Sequence, residues 1–103
     1  GYEVKTCQNY DGGIDIRAMK VLDNLETEYL MVQCKHWKTP IPPNEMRAFK
    51  TACDEEHSEY KKVKMFITSS RFSPSAKELA NKHNIIMIDG DNLIQRKKND
   101  RPN

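Results

Sequence analysis

A chain of 103 residues that is 37% hydrophobic and 31% charged, with 4 Gly and 5 Pro, has the length of one domain and too many core formers for a disordered or collagen-like segment. Its longest apolar runs, Tyr29-Leu30-Met31-Val32 and Ile85-Ile86-Met87-Ile88, fall far short of the ~18 residues a membrane helix needs, so no membrane partner is expected. With 17 Lys plus Arg against 15 Asp plus Glu and a formal charge of +2, the chain lacks the uniformly basic footprint of a nucleic-acid binder, and such contact has to come from a local cluster such as Lys35-His36-Trp37-Lys38.

Residues 1–7 alternate Tyr2, Val4 and Thr6 against Glu3 and Lys5, which is strand periodicity. Asn9-Tyr10-Asp11-Gly12-Gly13 is dense in turn formers, and the glycine pair permits a tight reversal. A second strand is predicted over 14–21, a polar turn over 23–27, and a longer, more apolar strand over 28–36 with the centre of the sheet as its place. Pro40, Pro42 and Pro43 stop the sheet and pre-organise a helix over 43–57, where Met46, Phe49 and Cys53, with Ala52 beside them, form one apolar stripe. A short buried strand follows over 64–69, with Lys61, Lys62 and Lys64 read as a solvated run. Ser73-Pro74 is an N-cap followed by proline at the first helical position, and Ala76, Leu79, Ala80 and His83 share one face of the helix it opens. Ile85 to Ile88 is the last strand, and Asp91 is the expected cap of a short final helix through Leu93 and Ile94.

The order β-β-β-α-β-α-β-α implies an α/β fold with a central mixed sheet, an antiparallel meander followed by parallel α-β-α-β crossovers, flanked by helices. Residues 1–95 form the core, and 96–103 are a polar basic tail expected to fray. Cys7, Cys34 and Cys53 are widely spaced and form neither a C-x-x-C pair nor a zinc pattern. Buried, reduced thiols and an intracellular, reducing compartment are therefore expected. The sequence opens at Gly1 without initiator Met or secretory signal and reads as a segment of a longer parent chain.

Side chains alternate faces along a strand, so Gln33 and Lys35 project from the same face as Met31 and Trp37, while Val32, Cys34 and His36 turn away. If the second and third strands pair, Asp15 reaches Gln33 and Lys35. A carboxylate, a neutral oxygen ligand and a lysine at one strand end suit phosphodiester hydrolysis. Asp15 can bind a hard cation, Mg²⁺ or Mn²⁺, whose shell is largely completed by water and phosphate. Gln33 and the main-chain carbonyl of Cys34 can add oxygens. Lys35 can position or deprotonate the attacking water, or act as a cation on the phosphorane. On spacing alone the signal is weak, and a surface Asp–Lys pair beside a hydrogen-bonded Gln is the better fit.

Asp11-Gly12-Gly13-Ile14-Asp15-Ile16, followed by Val32-Gln33-Cys34-Lys35-His36-Trp37, resembles the Mrr-type restriction endonuclease catalytic domain of the PD-(D/E)xK nuclease superfamily. Phe66-Ile67-Thr68-Ser69-Ser70-Arg71-Phe72-Ser73-Pro74-Ser75-Ala76 is similar to that family's strand, turn and helix. Ile85-Ile86-Met87-Ile88-Asp89-Gly90-Asp91-Asn92-Leu93 is similar to its closing segment, so the likeness runs over roughly residues 1–95. The resemblance implies a restriction-endonuclease-like fold and metal-dependent DNA cleavage, with Asp15, Gln33 and Lys35 at the D…(E/Q)-x-K positions. It also implies a glutamate-bearing helix ahead of the first strand, which this sequence lacks because it begins at that strand.

Around this core, Lys38 and Ser70 are candidate DNA-backbone contacts, Trp37 is expected to cover the helix that begins near Pro43, and Tyr10 could pack over the Gly-Gly turn. Two functions follow. The first is a metal-dependent deoxyribonuclease whose target choice lies with other domains, working as a homodimer where both strands are cut. The alternative is a catalytically weak or inactive nuclease-fold module that binds DNA or a protein partner, because the site carries little negative charge.

Overall fold

The computed structural model describes residues 3–6, 14–22, 24 and 26–99, with backbone only for 3–6 and 95–99. The predicted turn at 9–13, Cys7, Tyr10 and the end of the tail at 100–103 lie outside the described residues. The elements are β1 (Glu3–Thr6), β2 (Ile16–Val21), β3 (Thr27–Lys35), α1 (Pro43–Glu55), β4 (Lys61–Thr68), α2 (Pro74–Lys82), β5 (Ile85–Ile88) and α3 (Gly90–Asn99). They follow the predicted order.

One five-stranded sheet runs β1-β2-β3-β4-β5. β1, β2 and β3 pair antiparallel, whereas β3, β4 and β5 pair parallel. The two parallel steps proceed in the same direction across the sheet, and crossovers of one hand then place both connecting helices on one face. Met31 and Phe66 meet Met46, Phe49, Ala76 and Ala80 in a single buried cluster. Phe66 is central to it, with its ring edge-to-face against both Phe49 and Phe72, centroids 5.5 Å apart. Such pairs add about 0.5–1.5 kcal/mol to the burial itself. The i, i+3, i+7 stripe of α1 is buried as expected, because apolar spacing near 3.6 residues leaves no other way to remove it from water.

Several local expectations need correction. β4 begins at Lys61, earlier than predicted; Lys61 is exposed as expected, whereas Lys62 and Lys64 are partly covered strand residues rather than part of a free solvated run. Lys62 pairs in register with Tyr29 and donates to the carbonyl of Cys53 at 3.0 Å. It thereby supplies the cation at the C-terminus of α1, whose own last turn carries no basic residue. Asp89, not Asp91, caps α3: its Oδ1 accepts from Asn92 N at 2.8 Å while Asn92 Oδ1 accepts from Asp89 N at 3.1 Å. That reciprocal pair follows capping-box geometry, and the helix continues to Asn99, past the predicted end near Ile94. Cys34 is exposed whereas Cys53 is buried, since Cys34 lies near the end of β3 on the side turned away from α1.

Candidate active site

Asp15 precedes β2, and its backbone N donates to the carbonyl of Val32 at 2.8 Å. This continues the β2–β3 register, in which Ile16 faces Val32, and puts Asp15 beside Gln33 on the helix-facing side. Gln33 Nε2 donates to Asp15 Oδ2 at 2.9 Å, closing a contact between residues 18 positions apart in sequence. The same carboxylate oxygen accepts the backbone N–H of Cys34 at 2.8 Å. Gln33 is only 4% exposed, so its amide is held by these bonds rather than by water. Lys35 leaves the same face two residues on, and its Nζ lies 3.9 Å from Glu45 Oε2 on the first turn of α1. A cleft of about 350 Å³ between β3 and α1 is lined by Gln33, Lys35, Glu45, Phe49, Ala52 and Glu55, among others.

The oxygens expected to meet a cation converge on one group. Gln33 Nε2 donates to Asp15 Oδ2 and, at 3.4 Å, to the Cys34 carbonyl. A positively polarised amide thus lies between a carboxylate and a carbonyl, both hard oxygen donors of the kind that suits a hard divalent cation. Asp15 and the Cys34 carbonyl fit such an ion, with Asp15 contributing the charge, whereas Gln33 turns its Nε2 toward them rather than the oxygen expected of it. Among the described residues, no group of three or more His, Cys, Asp or Glu could hold a metal, and the site is poor in charge, with an uncharged Gln33 beside Asp15. Partial desolvation of the Cys34 sulfur, followed by the Asp15 charge, pushes that thiol up from its ordinary value, which keeps it protonated and weakly nucleophilic.

The loop from β3 to α1 is tied to the turn after β4. Ser69 N donates to the Lys35 carbonyl at 3.2 Å and Ile41 N to the Arg71 carbonyl at 2.8 Å. Ser70 Oγ donates to the Thr39 carbonyl at 2.7 Å, and Ser69 Oγ to the Trp37 carbonyl at 3.4 Å. These serines, one of them a candidate DNA contact, have their hydroxyl protons directed into the protein. Trp37 packs against the helix-facing core, as expected, while His36 and Lys38 are exposed just beyond the strand end.

The restriction endonuclease family Mrr_cat matches residues 1–96. The chain belongs to the Mrr-type restriction endonuclease family. Three solved structures share the fold of this Mrr-type domain. The MspJI restriction endonuclease in complex with a 27-mer oligonucleotide superposes with a TM-score of 0.64 at 16% identity, over 89% of this chain and 22% of that one. A protein of unknown function, AF1548, gives 0.70 at 21% identity over 95% and 59%. EndoMS in its apo form gives 0.52 at 13% identity over 86% and 38%. The Mrr-type domain spans less than two thirds of each of those chains. No curated protein is matched.

The fold expected from the sequence motifs is therefore the fold observed; Asp15 and Gln33 of the Mrr-type domain are hydrogen-bonded, with Lys35 two residues on along the same strand and paired with Glu45. Sequence reasoning missed Glu45. The available signal was an acid in the first turn of a helix opened by prolines, ten residues after Lys35, but only a helix running back over β3 brings it to the lysine.

The opposite end of the same sheet face holds a second polar group. Arg17 forms a two-point pair with Glu56, through Nε to Oε1 and Nη2 to Oε2, and Tyr29 OH donates to Glu56 Oε1 at 2.6 Å. The Arg17 hydrogen bonds hold the Glu56 carboxyl below its ordinary range. Burial, and then the Glu56 contact, push the Tyr29 phenol up to about 12. A cleft of about 250 Å³ beside them, lined in part by His57 and Tyr60, has no lysine among its lining residues.

Proposed function

We propose that this domain hydrolyses phosphodiester bonds in DNA with the help of a divalent cation, Mg²⁺ or Mn²⁺. The observation that carries this reading is the direct Gln33–Asp15 hydrogen bond with Lys35 on the same face, within a chain matched to restriction endonucleases over nearly its whole length. Asp15 and the Cys34 carbonyl would hold the cation, and Gln33 would assist by presenting its amide to the Asp15 carboxylate. When bound, the cation polarises a phosphoryl oxygen and lowers the pKa of bound water. Gln33 and the Cys34 N–H fix the Asp15 carboxylate in place. Lys35 reaches into the cleft, where its ammonium orients water or offsets charge growing on phosphate. Lys38, exposed beyond the strand, extends the basic rim toward the DNA backbone. Ser70 directs its hydroxyl proton to the Thr39 carbonyl, so that hydroxyl would have to release this bond before it could donate to a phosphate.

Target choice belongs to other domains of a longer chain, and cutting both strands calls for a homodimer on DNA. Two free thiols, Cys34 and Cys53, suit a reducing intracellular setting, and no helix among the described residues is long and apolar enough to cross a membrane. The single carboxylate among the cation ligands favours a second reading, a module that binds DNA without cutting. Plasmid cleavage in Mg²⁺ or Mn²⁺ by the full-length protein, Asp15→Ala and Lys35→Ala decides between them. Loss of cutting in both variants with DNA affinity kept supports hydrolysis. Equal cutting by all three removes the site, and binding without cutting by the parent supports the second reading.

A further inference from the structure

We propose that Glu45 is the positioning residue of Lys35: from the first turn of α1 its carboxylate sets where the lysine head rests in the cleft. This rests on the hydrolytic reading above. A lysine at the end of a strand has a flexible four-carbon stem and many rotamers, yet a misplacement of about 1 Å at a reacting centre can cost on the order of 10²-fold in rate. Something has to restrain the head. Among the described residues Glu45 is its ion-pair partner, with Nζ to Oε2 at 3.9 Å.

The geometry suits guidance better than locking. A separation of 3.9 Å exceeds hydrogen-bond range, so attraction between the charges defines the position while the three N–H donors of the ammonium stay available to a phosphate or water. Both side chains are partly covered, at 31% and 27% exposure, where the attraction is screened less than on open surface. The carboxylate also stands on a rigid base. Met46, the next residue, is fully buried and Phe49 is 1% exposed, and the far end of α1 continues into Glu56, held by Arg17 and Tyr29. Placement of Glu45 near a helix N-terminus further favours its negative charge.

Single-turnover cleavage of supercoiled plasmid in Mg²⁺ by the full-length protein tests this, with DNA affinity and melting temperature measured in parallel. Glu45→Gln is expected to slow cleavage about tenfold with DNA affinity within about twofold and folding intact, and Glu45→Asp to recover part of the rate by restoring the charge. Asp54→Asn, which removes an exposed carboxylate paired with Lys50 on the same helix, is expected to leave the rate unchanged. In a Lys35→Ala background, Glu45→Gln should cause no further loss. Parental cutting by Glu45→Gln while Lys35→Ala is inactive overturns this proposal and leaves the hydrolytic site standing. A further loss in the double variant also overturns it, since Glu45 would then act independently of Lys35. Parental cutting by Lys35→Ala overturns both.

Discussion

The two ends of α1 are joined to the same sheet face in opposite ways. At its C-terminus, Glu56 takes two contacts from Arg17 and one from Tyr29, so the donors that face it are directed to it. At its N-terminus, Glu45 faces Lys35 across 3.9 Å without a hydrogen bond, and the surrounding chain is held instead by backbone and serine bonds between the Trp37 to Ile41 loop and the turn after β4. Charged side chains that satisfy one another fix a helix but have little left for a ligand. An end secured by main-chain bonds can leave a charged side chain available for chemistry.

The contrast is broken most sharply by exchanging the kinds of loss. Lys35→Met should reduce plasmid cleavage by about 10²–10³-fold while changing stability to chemical denaturation by no more than about 0.5 kcal/mol. Arg17→Met should do the reverse, lowering stability by about 2–3 kcal/mol because Glu56 loses its two-point partner, with cleavage per folded molecule kept within a few-fold. Equal destabilisation by the two variants would show that the ends are alike.

Next in size is Gly90→Ala, which probes the backbone scaffold at the site end. Gly90 N donates to the Ser70 carbonyl at 2.8 Å, and a Cβ at Gly90 would collide with the backbone carbonyl of Ser69 and press on that of Ser70 at 3.2 Å. Main-chain atoms cannot swing aside, so a stability loss of about 2 kcal/mol is expected. Cleavage should fall with it, because Ser69 N is bonded to the Lys35 carbonyl. Ser73→Ala removes the N-cap bond to Ala76, and should cost about 1 kcal/mol in a denaturant titration.

The smallest effect sharpens the other end through pH. The folded Tyr29 phenol lies at about 12 against an ordinary value of 10.0, so below pH 10 its contribution is fully present. Stability should decline as pH rises from about 10 to 12, where the unfolded chain loses the proton before the folded one does. Glu56 is held low, and its contribution is correspondingly lost as acid protonates it below its ordinary range. Tyr29→Phe should abolish the part of the alkaline loss due to this residue in melting curves taken across that window, at a cost near 1 kcal/mol at neutral pH. An unchanged alkaline slope would remove Tyr29 from the cluster.

Much of the site was legible because strand alternation is strict. Gln33 and Lys35 had to share a face, and an Asp15 just ahead of a pairing strand had to meet them once the register was in place. The apolar stripe of α1 and the Ser73-Pro74 cap were equally local signals. Lys62 was misread because charge masks burial when a lysine stem is partly covered and its head reaches a polar group, here the Cys53 carbonyl. The Asp89–Asn92 cap was missed because two acids two residues apart compete for one role, and only backbone direction selects between them.

By itself, then, the order of apolar periods and turn formers determined the succession of strands and helices, and the motifs along it determined the Mrr-type likeness and the Asp15, Gln33, Lys35 grouping. Tertiary structure decided which charges from distant segments meet: Glu45 with Lys35 and Glu56 with Arg17 and Tyr29. Those pairs depend on α1 folding back across β3, and that placement comes from the burial of Met46, Phe49 and Phe66 in one core, a non-directional drive that leaves no trace in the spacing of the charged residues themselves.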